Sequence, residues 1–347
     1  MAAIMALFDV LPVDRAFYKN NLADFLPEKI FDAHTHVYKK RVSALPDAGR
    51  TVSWPSRVAD RNPIEDMKET ASLLFPDKKY IPLMFATIEN DGPDMAAANA
   101  YVASEGEKNN YPALFFTGPD VAPDELERLV GAGGFRGIKV YLSYAPSYIP
   151  ADEIRIYDFL TREHLDLANK RGWAVMLHLP RPGRLRDPVN LAQLTEIEKT
   201  YKNLWLIVAH AGRAYCDADA GDAFDVLKNT ERMLFDISAN TNGFIFEKLI
   251  RAVGGSRILY GSDLPITRMR MRRIERGGVY VNLVPRGLYG DVSGDMNMGE
   301  LDGAEADALT FFLYEELEAF RQAAHRTGLK RSDIENIFWN NAAEVFL

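Results

Sequence analysis

The sequence predicts an α/β protein, a (β/α)8 TIM barrel with an N-terminal extension and long loops after the first and eighth strands. Three observations predict it. Eight short segments rich in β-branched and aromatic residues recur along the chain, most as near-continuous apolar runs, the pattern of strands buried on both faces. Helical stretches alternate with them, which implies parallel strands, and eight is the number that closes such a barrel. No Gly-x-Gly-x-x-Gly follows the first strand, so nothing favours a dinucleotide fold on an open doubly wound sheet, the structural alternative.

Residues 1–29 form an N-terminal extension with a helix around 13–25, and 30–347 form the barrel. The strands fall at 30–34, 80–87, 112–118, 135–142, 173–179, 204–210, 232–238 and 257–263. Short helices fill 63–74, 93–109, 123–131, 188–201, 217–230 and 244–254. Asp152 caps a further helix through about 171 that stops at Gly172, with Ile156, Leu160, His164 and Leu167 on one stripe. A last long helix runs from about 305 to 326, with Leu309, Phe312, Leu313, Leu317 and Phe320 at three- and four-residue steps. Two connections break the rhythm: 37–62 after the first strand and 264–304 after the eighth. Both fall on the carboxyl-end face where barrels keep their sites, and as neighbours they read as a lid.

Composition narrows the function. The 347 residues are 47% apolar and 26% charged, ordinary for a globular protein, and the net charge of −8 argues against nucleic-acid binding. A single cysteine, Cys216, forms no internal disulfide and fits a reducing, cytoplasmic setting. The amino terminus lacks a basic n-region, and no stretch is long and apolar enough to suggest a membrane span. The negative total conceals two basic loops. Residues 37–61 set Lys39, Lys40, Arg41, Arg50, Arg57 and Arg61 against Asp47 and Asp60, and 264–289 carry six arginines against Glu275. Basic loops over a barrel mouth focus an anionic substrate, unless Met269-Arg270-Met271-Arg272-Arg273 merely packs its methionines and solvates its arginines.

Histidines give the chemistry. His34 and His36 end the first strand as Asp-Ala-His-Thr-His, and residues i and i+2 of a strand share a face. His178 ends the fifth strand, His210 the sixth and Asp263 the eighth. Three imidazoles and a carboxylate then meet at one end of the barrel with His210 beside them, a donor set suited to Zn2+, with Mn2+, Fe2+ or Co2+ as alternatives. His164 and His325 lie inside helices and read as structural or surface residues.

Five motifs run in order: Asp-Ala-His-Thr-His at 32–36, Gly-Gly-Phe-Arg-Gly-Ile-Lys at 133–139, Met-Leu-His at 176–178, Val-Ala-His-Ala-Gly at 208–212 and Tyr-Gly-Ser-Asp at 260–263. A closing Ile-Phe-Trp-Asn-Asn-Ala-Ala-Glu-Val-Phe stands at 337–346. The ordered set, spanning 30 to 347, resembles the amidohydrolase superfamily of metal-dependent barrels. It is most similar to the "amidohydrolase 2" branch, which contains aminocarboxymuconate-semialdehyde decarboxylase, aromatic-acid decarboxylases and pyrone-dicarboxylate lactonases. The resemblance implies that His34, His36, His178 and Asp263 hold one divalent metal, with His210 just outside or weakly in its sphere. Asp263 and His210 become the catalytic pair: Asp263 moves the water's proton, and His210 orients the water or hydrogen-bonds a developing oxyanion. Lys139 either bridges a second metal as a carboxylated lysine, or is a strand-end lysine paired with a carboxylate.

Arg181, Arg184, Arg213 and Arg268 are the candidate substrate-binding cations, and Trp54 a ring for stacking. The reading is a metal-dependent hydrolase whose metal-bound water attacks a lactone, ester or amide carbonyl of a small carboxylated substrate. Its alternatives are non-oxidative decarboxylation of an aromatic or enol acid at the same site, and a metal-free ligand-binding barrel. The family resemblance also suggests a homo-oligomer, dimer or tetramer, with no nucleic-acid or membrane partner.

Overall fold

In the computed structural model, residues 6–40, 54–88 and 92–347 are described; the candidate cations Arg41 and Arg50 lie outside them. All eight expected strands are present: β1 (Lys29–His36), β2 (Lys79–Phe85), β3 (Phe115–Thr117), β4 (Gly137–Val140), β5 (Ala174–Leu177), β6 (Trp205–Val208), β7 (Leu234–Asp236) and β8 (Ile258–Leu259). β3 to β8 form one parallel sheet in sequence order, and β1 pairs with β2. A few separate hydrogen bonds complete the circle. Leu114 N donates to Met84 O at 2.9 Å between β2 and β3, and Ala33 N to Tyr260 O at 2.9 Å and Asp263 N to His34 O at 2.8 Å join the ends of β1 and β8.

The continuous apolar runs are explained by burial on both faces. Phe31, Ala33, Leu83, Phe85, Met176 and Ile207 fill the barrel interior, whereas alternate residues such as Ile30, Met84, Val175 and Val208 face the surrounding helices. The closing helix, Asn341–Phe346, plugs the amino-terminal end, with Phe346 stacked on Phe31 at 5.9 Å. No helix among the described residues is long and apolar enough to cross a membrane.

Three expectations need correction. The helix assigned from Asp152 begins only at Arg162: Thr161 caps it, its hydroxyl accepting from His164 N at 3.2 Å, and Ile156 sits on a separate 3-10 turn. Gly172 ends it as expected, at φ 66°. The stretch 305–326 divides into Gly303–Asp307 and Phe312–Thr327, because Met271 N and Phe312 N exchange hydrogen bonds with Thr310 O and Met269 O across the break. The stretch 217–230 is a turn at Asp217–Asp219 followed by one short helix, Ala223–Leu227.

The long connection after β8 is structured. It carries β9 (Arg272–Arg276), β10 (Val279–Pro285) and β11 (Met298–Leu301) in the order β11-β10-β9. The β9–β10 hairpin turns on Gly277 and Gly278, both at positive φ (60° and 77°), as a two-residue hairpin turn requires. This sheet has its own small core, in which Met269, Met271, Val284, Met298, Phe312 and Trp54 pack together. Met269 and Met271 are buried as the packing alternative anticipated, but Arg270 between them is not solvated: it grips Asp14 of the N-terminal extension. That extension, helix Pro12–Phe17 and the turn Tyr18–Leu22, lies along the last long helix, with Phe17 and Tyr18 against Tyr314.

Candidate metal centre

β1 carries His34 and His36 on one face at its carboxyl end, and each ring is fixed by a bond at Nδ1. His34 Nδ1 lies 2.9 Å from Asp236 Oδ2, and His36 Nδ1 lies 2.8 Å from the Ala86 carbonyl. Both partners are acceptors, so both Nδ1 atoms carry the proton and both Nε2 atoms present a lone pair. Those lone pairs meet at one atom: Asp263 Oδ1 is 3.6 Å from His34 Nε2 and 3.3 Å from His36 Nε2. Three acceptors in a buried site repel one another unless a cation lies among them, and this is the donor set of a divalent metal. A metal centre therefore fits the residues present.

Asp236, at the end of β7, holds the arrangement. Its Oδ2 accepts from His34, and its Oδ1 accepts from His210 N at 2.8 Å, Ser238 N at 3.1 Å and Ser238 Oγ at 2.5 Å. Both oxygens are thus engaged, so although Asp236 also lies near His34 and His210 it serves as a support for them rather than as an open ligand. His210 Nδ1 faces Ser238 O at 3.1 Å and Ser238 Oγ at 2.9 Å. The Ser238 hydroxyl proton is directed at Asp236, so the imidazole donates and its Nε2 is again a lone pair. The His210 ring lies 4.7 Å from that of His34 and 5.1 Å from that of His178. His178 follows β5, its buried Nδ1 has no partner among the described residues, and its ring packs on Tyr141 at 4.4 Å.

Burial sets the electrostatics. It pushes His34 down to about 3, aided by the charge of Lys139, and also lowers His178 and His210, so these rings are neutral at physiological pH. Burial alone would raise Asp263 and Asp236, but the close approach of His36 to Asp263 and of His34 to Asp236 outweighs it, and both stay ionised. Asp263 (φ 60°) and His210 (φ 58°) occupy the left-handed backbone region, strain of the kind that collects at functional sites.

Lys139 lies on β4 almost fully buried, with Nζ 5.1 Å from the Phe85 ring centroid and no hydrogen-bond partner among the described residues. The carboxylate pairing expected of it is not formed; desolvation lowers it to about 8 against the pull of Asp236 and Asp263. The expected substrate cations are spread out. Arg181 pairs with Asp187, the cap of helix Pro188–Thr200, and Arg184 with Asp219 at 2.5 Å. Arg213 donates to Leu179 O at 2.7 Å, and its charge reaches His178. Arg268 lies over the Phe8 ring at 5.8 Å, toward the N-terminal extension, and Trp54 is buried in the core of the β9–β11 sheet. His164 is structural, its Nε2 donating to Val121 O at 2.7 Å, and His325 is exposed.

Sequence reasoning missed Asp236 and Asp32. Asp32 Oδ1 accepts from His34 N at 3.0 Å and Ser262 N at 2.8 Å, joining β1 to the segment that ends in Asp263, while burial raises its carboxyl to about 6. Asp236 carried the same signal that exposed the histidines, a polar residue at the carboxyl end of an apolar barrel strand.

A family model described as amidohydrolase matches residues 31–347. No curated protein matches the chain. Among solved structures, the chain is similar to a zinc-bound amidohydrolase from Burkholderia multivorans, with a TM-score of 0.58 and 14% identity over 91% of this chain and 98% of that one. It is also similar to a putative 2-pyrone-4,6-dicarboxylic acid hydrolase from Pseudomonas putida, with a TM-score of 0.53 and 14% identity over 92% and 98%. A 2,6-dihydroxybenzoate decarboxylase in complex with 2,6-dihydroxybenzoate gives a TM-score of 0.50 and 15% identity over 91% and 99%. At these identities the likeness is one of fold.

Proposed function

The chain belongs to the amidohydrolase family, and from that premise we propose that it is a metal-dependent hydrolase of a lactone, ester or amide in a small carboxylated substrate. The observation that carries the reading is the convergence of two proton-fixed imidazoles, His34 and His36, on the single oxygen Asp263 Oδ1. His34, His36 and Asp263 would hold one divalent ion, with His178 as a fourth donor. Zn2+ suits imidazole and carboxylate ligands, and the Burkholderia multivorans amidohydrolase carries it. Such an ion supplies Lewis acidity, polarising a carbonyl and lowering the pKa of water.

The side chains divide the remaining work. Asp263, held ionised, accepts the proton of the attacking water and returns it to the leaving oxygen or nitrogen. His210 has its proton committed to Ser238, so its Nε2 accepts from the water and orients it; with that tautomer it does not donate to an oxyanion. Arg213, close to His178, attracts the substrate carboxylate, whereas the charges of Arg181 and Arg184 on the loop after β5 are already met by Asp187 and Asp219.

Lys139 favours a second reading. A buried ammonium near Asp236 and Asp263, without a hydrogen-bond partner among the described residues, would be the proton donor that non-oxidative decarboxylation requires at carbon. Product mass separates the two. With a panel of lactones and aromatic acids on the zinc-loaded protein, hydrolysis adds one water and decarboxylation removes carbon dioxide. Consistent loss of carbon dioxide without water gain overturns the hydrolase reading.

A further inference from the structure

Over the carboxyl ends of β5 to β7, side chains from three connections interlock. Arg184 comes from the loop after β5, Tyr215 from the loop after β6, and Arg273 and Tyr280 from the β9–β10 hairpin. In the hairpin register Arg273 pairs with Asn282, two residues from Tyr280, so all three share one face. The Arg273 guanidinium lies 4.4 Å from the Tyr280 ring, 4.5 Å from Phe312 and 5.1 Å from Tyr215. Arg184 lies 5.1 Å from Tyr215 and 5.4 Å from Tyr280. Two cations therefore share one pair of tyrosines, themselves edge to face at 5.1 Å.

Their charges are not treated alike. Arg184 is neutralised by Asp219 at 2.5 Å. Arg273 has only neutral acceptors: Nε donates to Asn282 Oδ1 at 2.8 Å and Nη1 to Ala239 O at 2.7 Å. Among the described residues no carboxylate stands within ion-pair distance of it. A largely enclosed cation beside a second cation is costly without a counter-charge, even on aromatic faces. Its position says where the counter-charge would come from. The Ala239 carbonyl it grips follows directly on Ser238, whose carbonyl and hydroxyl fix His210.

We propose that Arg273, flanked by Arg184 on the Tyr215–Tyr280 pair, is a carboxylate-binding specificity subsite at the barrel mouth. It takes a carboxylate of the substrate remote from the reacting carbonyl, so the preferred substrate carries at least one carboxylate that does not take part in the reaction. The subsite rests on the reading of the mouth as the active site. It extends that reading to a residue of the β9–β10 hairpin, so that specificity lies partly on the insertion and not only on the barrel strands.

The test uses the full-length, zinc-loaded protein with isophthalate, its monoamide and its diamide as probes, read by titration calorimetry, with metal content measured separately. The wild type is expected to bind the monoamide, which keeps one carboxylate, about tenfold or more tighter than the diamide, which has none, the scale of one charge-assisted hydrogen bond. Arg273→Gln should bring that ratio close to one by weakening the monoamide, with the diamide bound as weakly as before and the metal content unchanged, and Arg273→Lys should restore part of the ratio. If Arg273 only staples the hairpin to the barrel, Arg273→Gln weakens all probes alike, and the proposal is overturned. Absence of discrimination between monoamide and diamide, or of isophthalate binding, in the wild type overturns it equally. Zinc content is a separate readout: a wild type that holds no zinc sinks the metal reading, whereas the probe ratio alone judges the subsite.

Discussion

Asp236 Oδ2 stands 2.9 Å from His34 Nδ1, while its other oxygen binds the backbone N–H of His210. One carboxylate on β7 thus sets the tautomer of an imidazole on β1 and the position of another after β6. Asp236→Asn offers His34 an amide that can present a donor where an acceptor is needed. Zinc affinity, measured by chelator competition, should fall about 10–100-fold, the usual effect of losing such a support. An unchanged affinity contradicts the role assigned to Asp236.

Gly261 precedes the turn into Asp263, and a Cβ there would lie 2.9 Å from His34 Cβ and 3.4 Å from the Cβ atoms of Asp236 and Ser238. These atoms sit next to the backbone and have little freedom to retreat. Gly261→Ala should therefore weaken zinc binding at least about tenfold while costing about 1–3 kcal/mol in stability, the usual range for overpacking. Wild-type zinc affinity in a folded Gly261→Ala protein would show that His34 is not held as tightly as this packing requires.

Asp14 is fully buried and takes a bidentate pair from Arg270, at 2.9 and 2.6 Å, and a third bond from the Thr310 hydroxyl at 2.8 Å. The N-terminal extension is thereby tied to the connection that carries β9–β11. Asp14→Ala leaves the Arg270 charge buried and unpaired, and should cost about 3–5 kcal/mol in denaturant unfolding. Asp14→Leu with Arg270→Met should recover most of that loss. A cost no larger than that of a surface pair would contradict the clamp.

Glu316 of the last long helix is fully buried, and among the described residues its carboxyl oxygens have no well-formed hydrogen bond, only a weak approach of the Ala239 backbone. Burial, reinforced by the charge of Asp32, raises it well above its ordinary value of 4.5. With the folded value raised, its stabilising contribution is present below pH 4.5 and is lost as pH rises toward the folded value, because the unfolded chain has released a proton that the folded chain still holds. Glu316→Gln removes this term, so its stability relative to wild type should climb by on the order of 1–3 kcal/mol between about pH 5 and about pH 8. A difference that stays flat across that range contradicts the assignment.

The barrel strands were legible because burial on two faces leaves an uninterrupted apolar run, and a polar residue at the end of such a run stands out. His34, His36, His178, His210 and Asp263 were found in that way. Asp236 met the same criterion but carried no histidine motif to draw attention to it. The β9–β11 sheet was hidden because Arg272-Arg273-Ile274-Glu275-Arg276 has almost no apolar alternation; only Gly277-Gly278 before a β-branched run marked a hairpin. The partner of Arg270 lies 256 residues away, and no local pattern reports such a pairing. Charge counting found a basic connection after β8 but not which of its arginines meet a carboxylate, since that depends on where distant residues such as Asp14 fold.

The most direct test of the metal centre is elemental analysis of zinc-loaded protein after dialysis against metal-free buffer, for the wild type and for Asp263→Asn with folding checked by circular dichroism. The account predicts one zinc per chain in the wild type and its loss from the folded Asp263→Asn protein. A wild type that retains no divalent ion, or a variant that retains zinc as well as the wild type does, would contradict it.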